Sequence, residues 1–133
     1  MSQVVLEVLT PEKQAFKSEV DSVYLQGSQG RLGILPMHTA LIARLDFGMM
    51  TFAHGGKEEN MLCGSGLVEV QDDKVTVLVK SAEMKNEIDI DRAKQAMARA
   101  KSRRDSKDND INMIRAEASL YRAVQRLKFT GHI

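Results

Sequence analysis

The rhythm of apolar and polar residues changes once along this chain. In the first two-thirds the repeat is two. Val4, Leu6 and Val8 alternate with Val5, Glu7 and Leu9, and Val75, Val77 and Val79 alternate with Thr76, Leu78 and Lys80. Residues two apart share one face of a strand, so these runs predict half-buried β-strands. Turn-forming clusters punctuate them: Gly27-Ser28-Gln29-Gly30, Gly55-Gly56, Gly64-Ser65-Gly66 and Asp72-Asp73. Short strands punctuated about every ten residues predict an antiparallel sandwich or barrel. Asp72-Asp73, between Leu67–Gln71 and Lys74–Val79, predicts a tight hairpin.

From Asp89 onward the repeat lengthens to three and four, and neither glycine nor proline occurs until Gly131. The run from Asp91 to Lys101 is strongly helix-forming, with an aspartate where the helix dipole favours negative charge. The polar segment 105–110 predicts a turn. A second helix is predicted from about Ile111 to Leu127, with Met113, Ala116, Leu120, Val124 and Leu127 as its apolar stripe. Two helices joined by a short polar turn make an antiparallel hairpin. Such a pair buries little alone, so it must lean on the sheet, a ligand or a partner. The predicted organisation is α+β, a sandwich over residues 1–84 followed by a helical hairpin over 85–133.

Composition narrows the class. The 133 residues are 43% hydrophobic and 28% charged, enough for one ordinary folded domain or two small ones. The net charge of +1 hides an asymmetry. Residues 1–84 carry seven Lys/Arg and eleven Asp/Glu, a net of −4; residues 85–133 carry twelve and seven, a net of +5. A single cysteine, Cys63, excludes an internal disulfide and a cysteine-based zinc cluster. The opening Met-Ser-Gln has no secretory character, and no apolar run approaches the roughly 18 residues of a membrane span. A soluble protein in a reducing compartment, without direct membrane insertion, is expected.

Catalytic chemistry is thin. His38, His54 and His132 lack metal-ligand spacing, and His38 reads as a loop or packing histidine. Cys63 lies in an apolar stretch and reads as an inert core thiol rather than a nucleophile. Gly27–Gly33 is glycine-rich but is no phosphate-binding loop. Binding, assembly or regulation is the expected kind of work.

The arginines of the hairpin stand out. Arg92, Arg99 and Arg103 on the first helix, and Arg115, Arg122 and Arg126 on the second, share the spacing i, i+7, i+11. Each set forms one stripe. The stripes suit a solvated face, an acidic protein partner, or, if they converge, an anion such as a polyphosphate held by guanidinium forks. Only Tyr121 supplies an aromatic among them, so a nucleic-acid surface is not expected.

The string Gly30-Arg-Leu-Gly-Ile-Leu-Pro-Met-His-Thr-Ala-Leu-Ile-Ala-Arg-Leu45 closely resembles the signature of the epsilon subunit of F-type ATP synthases. Three further segments follow in that family's order: Gly64–Val70, Asp73–Val79 with Ala82-Glu83, and Arg115–Leu127. Met37 departs from the small or polar residue usual between the proline and the histidine, and Gly64-Ser65-Gly66 replaces adjacent glycines. The resemblance spans essentially the whole chain. It implies a sandwich of about ten strands with a two-helix hairpin. It implies a non-catalytic central-stalk subunit at the cytoplasmic face of the cell membrane, peripheral, in a proton-translocating enzyme. The gamma subunit and the membrane rotor ring would be its partners, and the alpha-beta catalytic head would join them when the hairpin extends and opposes ATP hydrolysis.

A bacterial subset of that family binds ATP on the folded hairpin through Ile/Leu-Asp-x-x-Arg-Ala. Ile88-Asp89-Ile90-Asp91-Arg92-Ala93 matches it. By that resemblance Glu83, Ile88, Asp89 and Ala93 would hold the adenosine end, and Arg92, Arg99, Arg122 and Arg126 would face the phosphates. Arg103 and Arg115 would instead meet acidic residues of the catalytic head. ATP is the expected regulatory ligand, with no catalytic cofactor and no visible ligand set for magnesium. The alternative is a purely structural stalk subunit without functional nucleotide binding.

Overall fold

The computed structural model describes residues 2–106 and 112–133, so the predicted turn at 105–110 lies mostly outside the described residues. The chain divides into two compact units, Met1–Met84 and Lys85–Ile133.

The first unit is a ten-stranded sandwich. Its strands are β1 (Val4–Leu9), β2 (Gln14–Val20), β3 (Ser22–Gly27), β4 (Gly30–Ile34), β5 (Leu41–Leu45), β6 (Gly48–His54), β7 (Lys57–Cys63), β8 (Gly66–Gln71), β9 (Lys74–Val79) and β10 (Ala82–Met84). They run in the order β10-β7-β6-β3-β5-β8-β9-β1-β2, with β4 on β3. All pairs are antiparallel except β1 beside β9, which is parallel. Period-two patterning specifies which face of a strand is buried but not the direction of its neighbour, so that pairing was invisible in the sequence.

The alternation performs as expected. Val4, Leu6 and Val8 are buried while Val5, Glu7 and Leu9 are half-buried. Val75, Val77 and Val79 face inward from β9. Phe52 is fully buried and tilts against Phe16, ring centroids 4.6 Å apart. Three glycines show why the punctuation is local chemistry. Gly55 and Gly56, with φ of 59° and 77°, close the β6–β7 hairpin in the conformation that two-residue turns need. A side chain on Gly66 would put its Cβ 1.9 Å from the Leu78 carbonyl oxygen, so only glycine lets β8 approach β9 there.

In the second unit a single 3₁₀ turn, Lys85–Glu87, leads to α1 (Ile90–Arg104) and α2 (Met113–Phe129). Each helix is capped by the residue just before it. Asp89 Oδ1 accepts from the Arg92 amide at 3.0 Å, and Asn112 Oδ1 accepts from the Arg115 amide at 3.1 Å. The first helix therefore starts at Ile90, one residue earlier than Asp91 predicted, with its cap at Asp89. The second runs past Leu127 to Phe129. There the amides of Gly131 and His132 bond back to the Lys128 and Leu127 carbonyls, with Gly131 at φ 78°. This glycine-terminated stop satisfies the last carbonyls.

Candidate anion-binding face of the helical hairpin

The hairpin is zipped by small residues. Ala93 and Ala100 of α1, and Ala116, Ala123 and Leu127 of α2, are buried. Each alanine pair is spaced by seven, which returns to the same side of a helix after two turns. The apolar stripe expected on α2 is corrected in part. Ala116 and Leu127 are buried, Leu120 and Val124 only half-buried, and Met113 is 42% exposed. Ala123, absent from that stripe, is 2% exposed. Alanine carries little hydrophobic signal, so a periodicity reading passes over it, although close helix approach is what alanine allows.

This seam decides where the arginines go. Successive helical residues turn by about 100°. On α1, Ala93, Met97, Ala100 and Arg104 lie within about 40° of one line, and Arg92, Arg99 and Arg103 lie about 80–120° to one side of it. On α2, Ala116, Leu120, Ala123 and Leu127 define the line, and Arg115, Arg122 and Arg126 lie about 80–120° away in the same rotational sense. An antiparallel pair is related by a two-fold axis perpendicular to the helices. That operation carries same-sense offsets to a single side. The two stripes share one face of the hairpin.

Their heights along the hairpin differ. Counting back from the turn at about 1.5 Å per residue, Arg92, Arg122 and Arg126 fall within about 6 Å of one another at the open end. Arg99 lies about 8–14 Å nearer the turn, and Arg103 and Arg115 lie beside the turn. Arg92, Arg99, Arg103, Arg115 and Arg122 are exposed, and Arg126 is half-buried. Arg122 donates to the Ser119 hydroxyl at 3.2 Å. Such a face can take a multivalent anion through charge-assisted hydrogen bonds, which are roughly twice as strong as neutral ones.

The remaining predicted residues fall as follows. Ile88 is buried just before the cap. Asp89 is exposed, and one of its carboxylate oxygens is engaged in capping α1. Ala93 is a seam residue. Glu83 belongs to the other unit, on β10, where it is half-buried and opposite Leu62 of β7. Sequence reasoning missed the capping roles of Asp89 and Asn112. The signal was present in the oxygen-bearing side chain three residues before Arg92 and before Arg115.

Cys63 is a buried free thiol. His38 is half-buried, with Nδ1 2.7 Å from the Thr39 carbonyl oxygen. Among the described residues no three His, Cys, Asp or Glu side chains are grouped to hold a metal ion. No helix among them is long and apolar enough to cross a membrane.

These features define a class: a β-sandwich module carrying a helical hairpin with an arginine face. Comparison with known proteins makes it specific. Residues 3–85 match the model of the β-sandwich domain of the ATP synthase delta/epsilon chain, and residues 86–131 match that of its long α-helix domain. The ATP synthase epsilon chain of Moorella thermoacetica is 40% identical over 134 aligned residues, covering all of both chains. That of Natranaerobius thermophilus is 43% identical over 124 residues, covering 92% of this chain and 88% of its own. A chain of the Euglena gracilis mitochondrial ATP synthase superposes with a TM-score of 0.75 at 20% identity, covering 99% of this chain and 79% of that one. The chain belongs to the ATP synthase delta/epsilon family, among the bacterial epsilon chains.

Proposed function

We propose that this epsilon chain is a non-catalytic subunit of the central stalk of a proton-translocating ATP synthase, peripheral at the cytoplasmic face of the membrane. Its sandwich docks on the gamma subunit and the rotor ring. Its hairpin is a switch that ATP holds compact, and that opposes ATP hydrolysis at the alpha-beta head when extended. The observation that carries the nucleotide reading is the convergence of both arginine stripes on one face. Arg92, Arg122 and Arg126 gather at the open end beside the Asp89 cap, and Arg99 sits about one and a half to two and a half turns away. Arg103 and Arg115, assigned to the catalytic head, stand apart at the turn end.

The switch needs differential affinity, because a ligand moves an equilibrium only as far as it prefers one state. At ATP near 100 times its dissociation constant the compact hairpin gains roughly 2.7 kcal/mol, about a hundredfold in population. Among the described residues no phosphate loop stands at the face, and the reading takes ATP as a ligand rather than a substrate.

One observation favours the alternative, a stalk subunit without functional nucleotide binding. The Asp89 cap gives the matched motif a structural reason to exist. Titration calorimetry with ATP, with and without magnesium, decides between them on three proteins. The natural chain should bind one ATP. Asp89→Ala loses both carboxylate and cap, which costs about 1 kcal/mol of helix stability. Asp89→Asn keeps the cap and loses only the charge, so weakened binding there assigns the carboxylate to the ligand. No saturable heat from the natural chain at millimolar ATP would leave the structural alternative standing.

A further inference from the structure

The first unit is acid-rich, and most of its cations meet a partner. Lys17 and Lys74 pair with Glu7 at 3.9 and 3.5 Å, and Arg31 donates to the Thr51 hydroxyl at 3.5 Å. The side chains of Arg44, Lys57 and Lys80 make no ion pair or hydrogen bond among the described residues. Lys57 lies in the β6–β7 hairpin. Arg44 and Lys80 line the same cavity.

That cavity, about 750 Å³, opens at one end of the sandwich, among the ends of β1, β5 and β9, the start of β8 and the β3–β4 turn. Small-molecule sites run from about 300 to 1,000 Å³. The strand register brings the two cations to it. Arg44 of β5 stands opposite Leu67 of β8, Leu67 opposite Leu78 of β9, and Leu78 beside Leu9 of β1. Lys80 follows Leu78 by two residues, just past the end of β9. Arg44 and Leu78 are thus two strands apart, about 10 Å, a gap that two long side chains can close on one ligand. Main-chain bonds fix the rim. The Ser28 amide donates to the Arg44 carbonyl, the Asp46 amide to the Gln26 carbonyl and the Lys80 amide to the Ser65 carbonyl, each at 3.0 Å.

The lining defines a ligand. Arg44 and Lys80 attract an anion, and the Ser28 and Ser65 hydroxyls add donors. The Asp46 carboxylate also lines the cavity, so its net charge is +1, which suits a monoanion better than a dianion. Leu9, Pro11 and Leu78 supply an apolar wall, with Leu78 40% exposed. We propose that this cavity binds a small amphipathic carboxylate, its head between Arg44 and Lys80 and its hydrocarbon body on Leu9 and Leu78. Every residue of the site belongs to the first unit, so the proposal stands apart from the nucleotide reading of the hairpin.

Titration of the full chain with octanoate, followed through its amide signals by NMR, tests this. Saturable shifts at millimolar octanoate should centre on Ser28, Arg44, Ser65 and Lys80. Arg44→Gln and Lys80→Gln, both at exposed positions, should each weaken binding about tenfold with melting unchanged. Asp46→Asn should tighten it, because repulsion of the head is removed. Inorganic phosphate, a head without a body, and octanol, a body without a head, should both bind more weakly than octanoate. No saturable shift, or equal affinity in the natural chain and both glutamine variants, overturns the site. Affinity unchanged or lowered in Asp46→Asn overturns its electrostatic basis, even where a glutamine variant has lost its fold. Phosphate binding as tightly as octanoate overturns the amphipathic class, and octanol binding as tightly overturns the role of the two cations.

Discussion

Cys63 ends β7 with its thiol buried, and burial, reinforced by the Glu83 carboxylate, pushes its pKa up to about 12 from 9.0. At pH 8 only about one such thiol in ten thousand is ionised. The thiolate is the reactive form, so a thiol reagent should label the folded chain at least about a hundredfold more slowly than the chain in denaturant. Comparable labelling rates would contradict the burial. The same displacement has a pH consequence. Between 9.0 and about 12 the unfolded chain has given up this proton while the folded chain keeps it. Stability from this thiol is thus intact below pH 9.0 and declines as pH rises toward 12. An alkaline melting series, compared with Cys63→Ser, should show a shallower decline in the variant. That Cys63 is inert was legible from its apolar neighbours. Its coupling to Glu83 was not, because β10 meets β7 across about twenty residues of chain.

At the scale of elements, the strands were legible because one face of each is buried, and burial writes itself into the sequence with a period of two. Helix ends were less so, since a cap is a single side chain and several aspartates compete for the role. The hairpin seam was the least visible. Ala100 and Ala123, 1% and 2% exposed, are too small to mark an apolar stripe. They nevertheless set the helix separation, so size is what matters there. Ala100→Leu should cost the hairpin about 1–3 kcal/mol through overpacking. Far-UV circular dichroism should show helix lost at lower temperature, with the sandwich transition in place. An unshifted helical signal would mean the seam has room to spare.

For the whole molecule, the buried core cluster draws all its residues, from Val4 to Ala82, from the first unit. A fragment ending at Met84 should therefore unfold in one cooperative transition close to that of the intact chain. Residues 85–133 alone should be largely unfolded, since short helices with an alanine seam bury too little to offset chain entropy. Calorimetry on both fragments checks this. Failure of the first to fold would mean that the sandwich needs its hairpin. The charge asymmetry between the halves was read from composition, but its arrangement was not. Spacing put the arginines into two stripes and left open whether those stripes part or meet.

The strands, the two helices, the family and the residue types available for recognition are legible along the chain, because they depend on contacts within a few residues or on motifs intact in it. Tertiary structure decided what depends on residues far apart in sequence. It placed β1 parallel to β9, turned two arginine stripes onto one face by the two-fold relation of antiparallel helices, and brought the Asp73 carboxylate to the Met37 amide. Local periodicity records which face is buried; it carries no record of what lies opposite.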